Sequence, residues 1–169
     1  MNIFVLSKDP RQAARMHADA HVVKMILETA QILSTVWRLS SKAVPPGTYR
    51  ATHRGHPATV WAGTTPANYL WLAELGAELC REFAYRFGHT HASAKVLSAL
   101  QSPPALLYFG VSGLSGLTPF VQIMPDEFRR EDTVEAYRNY YITAKAHLLR
   151  YTRRHAPPWI PIGGAEERP

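Results

Sequence analysis

A chain of 169 residues and 19.0 kDa with 46% hydrophobic and 11% aromatic residues has the size of one compact domain and is too apolar to remain disordered. Its formal net charge of +6, with eight further histidines and a sequence pI of about 9.7, favours a polyanionic partner, DNA or a nucleotide. No apolar run reaches the roughly 20 residues that span a bilayer. The opening MNIFVLSKDP lacks the basic region and long apolar stretch of a signal peptide, and the single Cys80 excludes an internal disulfide or a cysteine-built zinc site, so a cytoplasmic location is expected.

In chain order, NIFVL is a short apolar segment, either a lone strand or an extended tail packed on the core. Asp9-Pro10 is a helix cap followed by proline at the first helical position, and helical pattern runs on to about Ser40, with a break at Ala18-Asp19 where Asp19 is placed to cap a second segment. Pro45-Pro46-Gly47 makes a loop, and Pro57 starts a short helical turn. Thr65-Pro66 opens a long helix that Gly88 closes. Residues 92–101 form a shorter helix, and 102–125, rich in Pro, Gly and Ser, form a functional or irregular loop. Asp132 and Glu135 have capping-box spacing for a last helix through about Arg154, and 156–169 are a tail anchored by Trp159. The fold class is all-α: a single domain over 1–169, about three long helices plus shorter ones, with an extended N-terminal segment.

Three groups of residues carry chemistry. His17, His21, Lys24, Glu28, Gln31 and Thr35 follow at spacings of four and three, so they form one narrow polar stripe on a helix otherwise apolar all round. Lys24 and His21 both reach Glu28 on that face, which makes a general acid/base site, and Lys24 can alternatively supply an amine nucleophile. The second group, YRATHRGHPATVW, mixes Arg50, His53, Arg54 and His56 with Tyr49 and Trp61; cations suit phosphates and flat rings suit bases. The third, EAYRNYYITAK, offers Arg138, Asn139 and Tyr141 as hydrogen-bonding groups, with Tyr137 and Tyr140 equally suited to the core. His17, Asp19, His21, His53 and His56 include an i,i+4 histidine pair, but no glutamate follows the first histidine as in zinc peptidases, so neither a metal nor another cofactor is expected.

HADAHVVKMILETAQ, HRGHPATVW and EAYRNYYI together resemble a group of small proteins common in phage genomes, over about Asp9 to Trp159. The order of features is also similar to the pyrimidine-dimer DNA glycosylase/AP-lyase (endonuclease V) family. Ala18-Asp19-Ala20-His21, with Glu28 seven residues beyond the histidine, reproduces that family's A-D-x-H start and catalytic glutamate. His56-Pro57, Tyr69-Leu70 and Phe87-Gly88 follow its His-Pro step and its tyrosine-leucine helix ending in an aromatic-glycine pair. The resemblance implies a small basic all-α enzyme of a bacterial or phage-infected cell that removes a damaged or modified base from DNA. An amine attacks the sugar C1′, and Glu28 stabilises the cationic intermediate and moves protons. His21 and His17 would face DNA, and Arg50, His53, Arg54, His56, Trp61, Asn68, Tyr69, Arg138, Asn139 and Tyr141 would hold substrate around an extruded nucleotide.

The chain departs from that family in two places. The family's nucleophile is the α-amine of a small second residue, whereas Asn2 is bulky enough to predict retention of Met1, leaving Lys24 as the substitute amine. Leu27 and Gln31 stand where arginines flank the family's glutamate, so dimer recognition and AP-lyase activity do not carry over with the resemblance, and a phage-modified base or a free nucleotide fits as well as a dimer. Two other function classes compete: a non-catalytic nucleic-acid-binding or anti-defence protein, and a nucleotide-modifying or metal-dependent hydrolase.

Overall fold

The computed structural model describes residues 1–109, 116–161 and, as backbone, 166–168. It is mostly helical: α1 (Pro10–Met16), α2 (Asp19–Ser40), α3 (Pro57–Ala62), α4 (Pro66–Phe87), α5 (Ala94–Ala99) and α6 (Thr133–Ala144). Short 3₁₀ turns lie at Ala105–Tyr108, Asp126–Phe128 and Ala146–Leu148. The cap-and-proline starts are made as the sequence predicts. The side chain of Asp9 accepts from Gln12 N–H at 2.7 Å, and that of Thr65 accepts from Asn68 N–H at 3.1 Å. Gly88 ends α4 at φ 75°, a left-handed conformation open to glycine at no steric cost.

The two long helices α2 and α4 form the body; α1 packs against α4, and α3 against both. The two long helices come close at Gly76. A Cβ there would stand 2.8 Å from Thr29 Cγ2 and 3.0 Å from Leu97 Cδ2, both on buried residues. Gly76→Ala therefore has to push the helices apart. The ~1 kcal/mol that alanine gains in helix propensity is outweighed by overpacking of about 1–3 kcal/mol. A lowered melting temperature is expected in a thermal melt, and adding Thr29→Ser, which removes the clashing methyl, should restore it.

NIFVL is an extended, non-paired segment rather than a strand, and Ile3 to Leu6 are all buried. Asn2 holds its start: Oδ1 accepts from Ile3 N–H at 2.8 Å, and Nδ2 donates to Ile123 O at 2.8 Å. The segment's far end is met by Arg138, whose Nε donates to Leu6 O at 3.0 Å.

Two expectations need correction. The last helix ends at Ala144, ten residues before Arg154. Arg150–Thr152 is a strand (β1) paired in parallel with Glu166–Arg168 (β2), Arg150 opposite Glu166. The physical cause is non-local: the Asp19 carboxylate takes the Thr152 backbone N–H at 3.0 Å and its hydroxyl at 2.8 Å, while the Tyr151 ring is buried. For the same reason Asp19 is not a side-chain cap. The N-cap of α2 is Ala18, and Asp19 is spent on Thr152 and Arg86. Of the loop expected at 102–125 and the tail at 156–169, residues 110–115, 162–165 and 169 lie outside the described residues. Trp159 is half-buried, with its ring edge-on to Tyr141.

Candidate active site

The polar stripe of α2 divides on folding. His17 sits in the break between α1 and α2 and turns into the core, fully buried. Its Nδ1–H donates to Ala13 O at 2.6 Å, and its Nε2 has no hydrogen-bond partner. At the other end, Thr35 Oγ1 accepts from Thr52 N–H at 3.1 Å and shares its proton between Gln31 O at 2.8 Å and Thr52 O at 3.1 Å, and Ser34 Oγ accepts from Tyr49 N–H at 3.2 Å. Those hydroxyls fasten the loop that carries Arg50, His53, Arg54 and His56 onto α2. Between the ends, His21, Lys24 and Glu28 line one cleft of about 180 Å³, together with Met1, Asn2 and Phe4, and with Tyr140 and Lys145 from the α6 side.

Glu28 is the centre of this cleft and only 7% exposed. One carboxylate oxygen accepts the Asn2 backbone N–H at 2.8 Å, and the other faces Lys24 Nζ at 3.5 Å. The lysine side chain is 67% exposed, so it is open to solvent as well as facing the carboxylate. His21 lies under Phe4, ring centroids 4.4 Å apart, with Nδ1 2.6 Å from the Tyr141 hydroxyl. His56 caps α3 by accepting Ala58 N–H at 3.2 Å. Partial burial holds it below its ordinary pKa, as do the positive charge at Met1 and the neighbouring His53, while Glu28 and the Met1 backbone oppose them. His56 is thereby placed beside the cleft. His53 is exposed and adopts φ 47°, an uncommon conformation for a side chain of this size, with Nδ1 2.7 Å from Thr52 Oγ1.

Other residues expected at substrate are placed elsewhere. Asn68 is fully buried: its amide donates to Trp61 O and Thr118 Oγ1, and its oxygen accepts Thr118 N–H. Tyr69 is equally buried, between Trp37 Nε1 and Leu100 O. Trp61 packs on Trp71 and Phe120. Arg138 and Asn139 line a larger cavity of about 630 Å³, walled by other residues of α6, by Ser7 and Lys8 and by Trp159, over whose ring the Arg138 guanidinium lies at 5.4 Å. In that cavity Asp132 is committed to capping α6 and pairing Lys8, and no amine stands beside a buried carboxylate as at Glu28. Among the described residues, no three histidine, cysteine or carboxylate side chains come together as a metal site.

Sequence reasoning missed Asn2 and Arg86. Arg86 is fully buried and donates to Glu82 at 2.8 Å, Asp19 at 2.9 Å, His17 O at 2.8 Å and Arg15 O at 3.0 Å. It locks the α1–α2 break behind the cleft. The available signal was an arginine four residues after Glu82, amid the aromatic residues that end α4.

Burial pushes the His17 pKa down to about 4, and burial, followed by the charges of His17, Lys145, Lys24 and His147, pushes that of His21 down to about 3. Both are folded neutral, whereas the unfolded chain takes up these protons from about pH 6.5 downward. Their contribution is therefore intact above pH 6.5 and is lost as pH falls toward 4. At pH 5 each costs about 2 kcal/mol, from ~1.5 pH units at ~1.36 kcal/mol. Unfolding midpoints in denaturant should fall between pH 7 and 5, and His17→Gln should flatten that slope.

The cleft of this all-α protein thus sets a buried carboxylate between the Asn2 backbone amide and the Lys24 amine. Residues 1–96 match the family described as pyrimidine dimer DNA glycosylase, and the chain belongs to that family. No curated protein and no solved structure matches it. The match takes in Asn2, His21, Lys24, Glu28 and the basic loop; Tyr140 and Lys145, from the opposite side of the cleft, and the buried Tyr141 behind His21 lie beyond it. The family acts on DNA, and no helix among the described residues is long and apolar enough to cross a membrane.

Proposed function

We propose that this protein cleaves the N-glycosidic bond of a damaged or modified nucleotide in DNA, with Glu28 as the acid/base group. The observation that carries the reading is the Glu28 carboxylate held between the Asn2 nitrogen at 2.8 Å and the Lys24 amine at 3.5 Å in a cleft open to a ligand. A deprotonated amine attacks the deoxyribose C1′, the bond to the base breaks, and the base leaves with the bonding pair and a proton. Glu28 hands over protons and offsets the positive charge that develops on the sugar. With Met1 attached, the Asn2 nitrogen is an amide and no nucleophile, and of the amines at the cleft Lys24 is the one that faces the Glu28 carboxylate, at 3.5 Å. Removal of Met1 would turn the same nitrogen into an α-amine already hydrogen-bonded to Glu28.

The loop carrying Arg50, His53, Arg54 and His56 supplies cations for the phosphate backbone, fastened to α2 beside the cleft. The exposed Leu27 and the half-buried Gln31 on the outer side of Glu28 bring no positive charge, which favours a modified or damaged base other than a pyrimidine dimer.

Borohydride trapping tests the reading. The protein is incubated with duplexes bearing an abasic site, a pyrimidine dimer or a modified base, reduced, digested and read by peptide mass spectrometry. A covalent sugar adduct on Lys24 is expected, and it should vanish in Lys24→Ala. An adduct on the α-amine of Asn2 would move the nucleophile to the processed chain while keeping Glu28 in its role. No adduct and no released base on any of the three duplexes overturns the proposal.

A further inference from the structure

The His21 imidazole is held by a hydroxyl whose own hydrogen bonds leave it a single role. Tyr141 is fully buried, and its oxygen accepts the Ala18 backbone N–H at 3.2 Å. Among the described residues, its other hydrogen-bond partner is His21 Nδ1 at 2.6 Å. A hydroxyl has one proton to give. If Nδ1–H were the donor, the phenol proton would be buried with no acceptor, a cost on the order of 1–3 kcal/mol. If the phenol donates, every group is satisfied. Burial also pushes the Tyr141 phenol well above its ordinary pKa, so the proton stays on oxygen.

We infer that Tyr141 is a positioning residue that fixes His21 as the neutral tautomer with its proton on Nε2, so that the imidazole offers the cleft a hydrogen-bond donor and no base. The inference rests on the Glu28 reading for its chemical meaning. The ligand's side facing His21 is then an oxygen acceptor of the nucleotide, on sugar or phosphate, and Glu28 remains the proton-accepting group. The ring is clamped for this task by Phe4 on one face, at 4.4 Å. The titratable groups around it are Lys24 on α2, Lys145 and His147 after α6, and the buried, neutral His17 in the α1–α2 break. Helix α6 thereby gains a part in the site although the family match stops at residue 96.

The test uses the intact protein with ¹⁵N-labelled histidine and long-range ¹⁵N–¹H correlation at pH 7. His21 is expected neutral with its proton on Nε2. An Nδ1–H tautomer or an imidazolium at pH 7 overturns the inference without any variant having to fold. In Tyr141→Phe the signature should give way to a tautomer mixture, and kcat for base release should fall about tenfold with KM little changed, the effect of misdirecting one hydrogen bond. A Tyr141→Phe protein that keeps the wild-type tautomer also overturns it. Failure of the glycosylase reading is distinguishable, because it would abolish base release in the wild type while leaving the tautomer in place.

Discussion

Glu28→Gln is expected to lower base release by about three orders of magnitude, the range removed with a general acid/base, while leaving the fold and DNA affinity close to wild type. The glutamine oxygen can still accept the Asn2 N–H that Glu28 now holds at 2.8 Å, so the N-terminal segment keeps its anchor. What disappears is the exchangeable proton and the negative charge opposite the developing cation. Single-turnover assays on the substrate identified by trapping measure the first effect, and fluorescence anisotropy with the same duplex measures the second. A loss below tenfold would remove Glu28 from the chemistry. If the variant also kept its DNA affinity and its effect in cells, the cleft would be the surface of a binding protein.

Arg86→Met is expected to cost about 3–5 kcal/mol of stability, the range for breaking a buried ion pair from one side. The methionine fills much of the space but gives back none of the hydrogen bonds to Glu82, Asp19, His17 O and Arg15 O. Glu82 keeps Arg154 at 2.7 Å and Asp19 keeps Thr152, so the damage concentrates on the two orphaned carbonyls at the α1–α2 break. Against a total stability on the order of 5–15 kcal/mol, that loss is a large fraction. Arg86→Lys should recover little of it, since one ammonium cannot span acceptors that a planar five-donor fork reaches together. Denaturant unfolding reads both; a loss under ~1 kcal/mol for Arg86→Met would show that the break is held by packing alone.

Local chemistry explains which parts of this architecture were legible in the sequence. Asp9-Pro10, Pro57, Thr65-Pro66 and Gly88 mark helix ends because their constraints act within a few residues, and they were placed correctly. The end of α6 is not so marked, because Ala144 is followed by a 3₁₀ turn and then a strand whose partners, Asp19 and residues 166–168, are remote or downstream. The same divide runs through the cleft. His21, Lys24 and Glu28 share one helix face, so a helical wheel brings them together. His17 was assigned to that face and sits in the core, because the wheel assumes one continuous helix and the chain breaks at Ala18. Asn2 was invisible as a site residue, since its contact with Glu28 spans 26 residues through an extended segment with no periodicity to read.

The clamped N-terminal segment also constrains how the protein is handled. Ile3 to Leu6 are buried and Asn2 is tied to Ile123, so the polypeptide enters the molecule through the mouth that Met1 lines beside Glu28. A peptide fused ahead of Met1 would begin at the rim of that cleft. An amino-terminal affinity tag is thus expected to weaken ligand access, and its proteolytic removal should restore it.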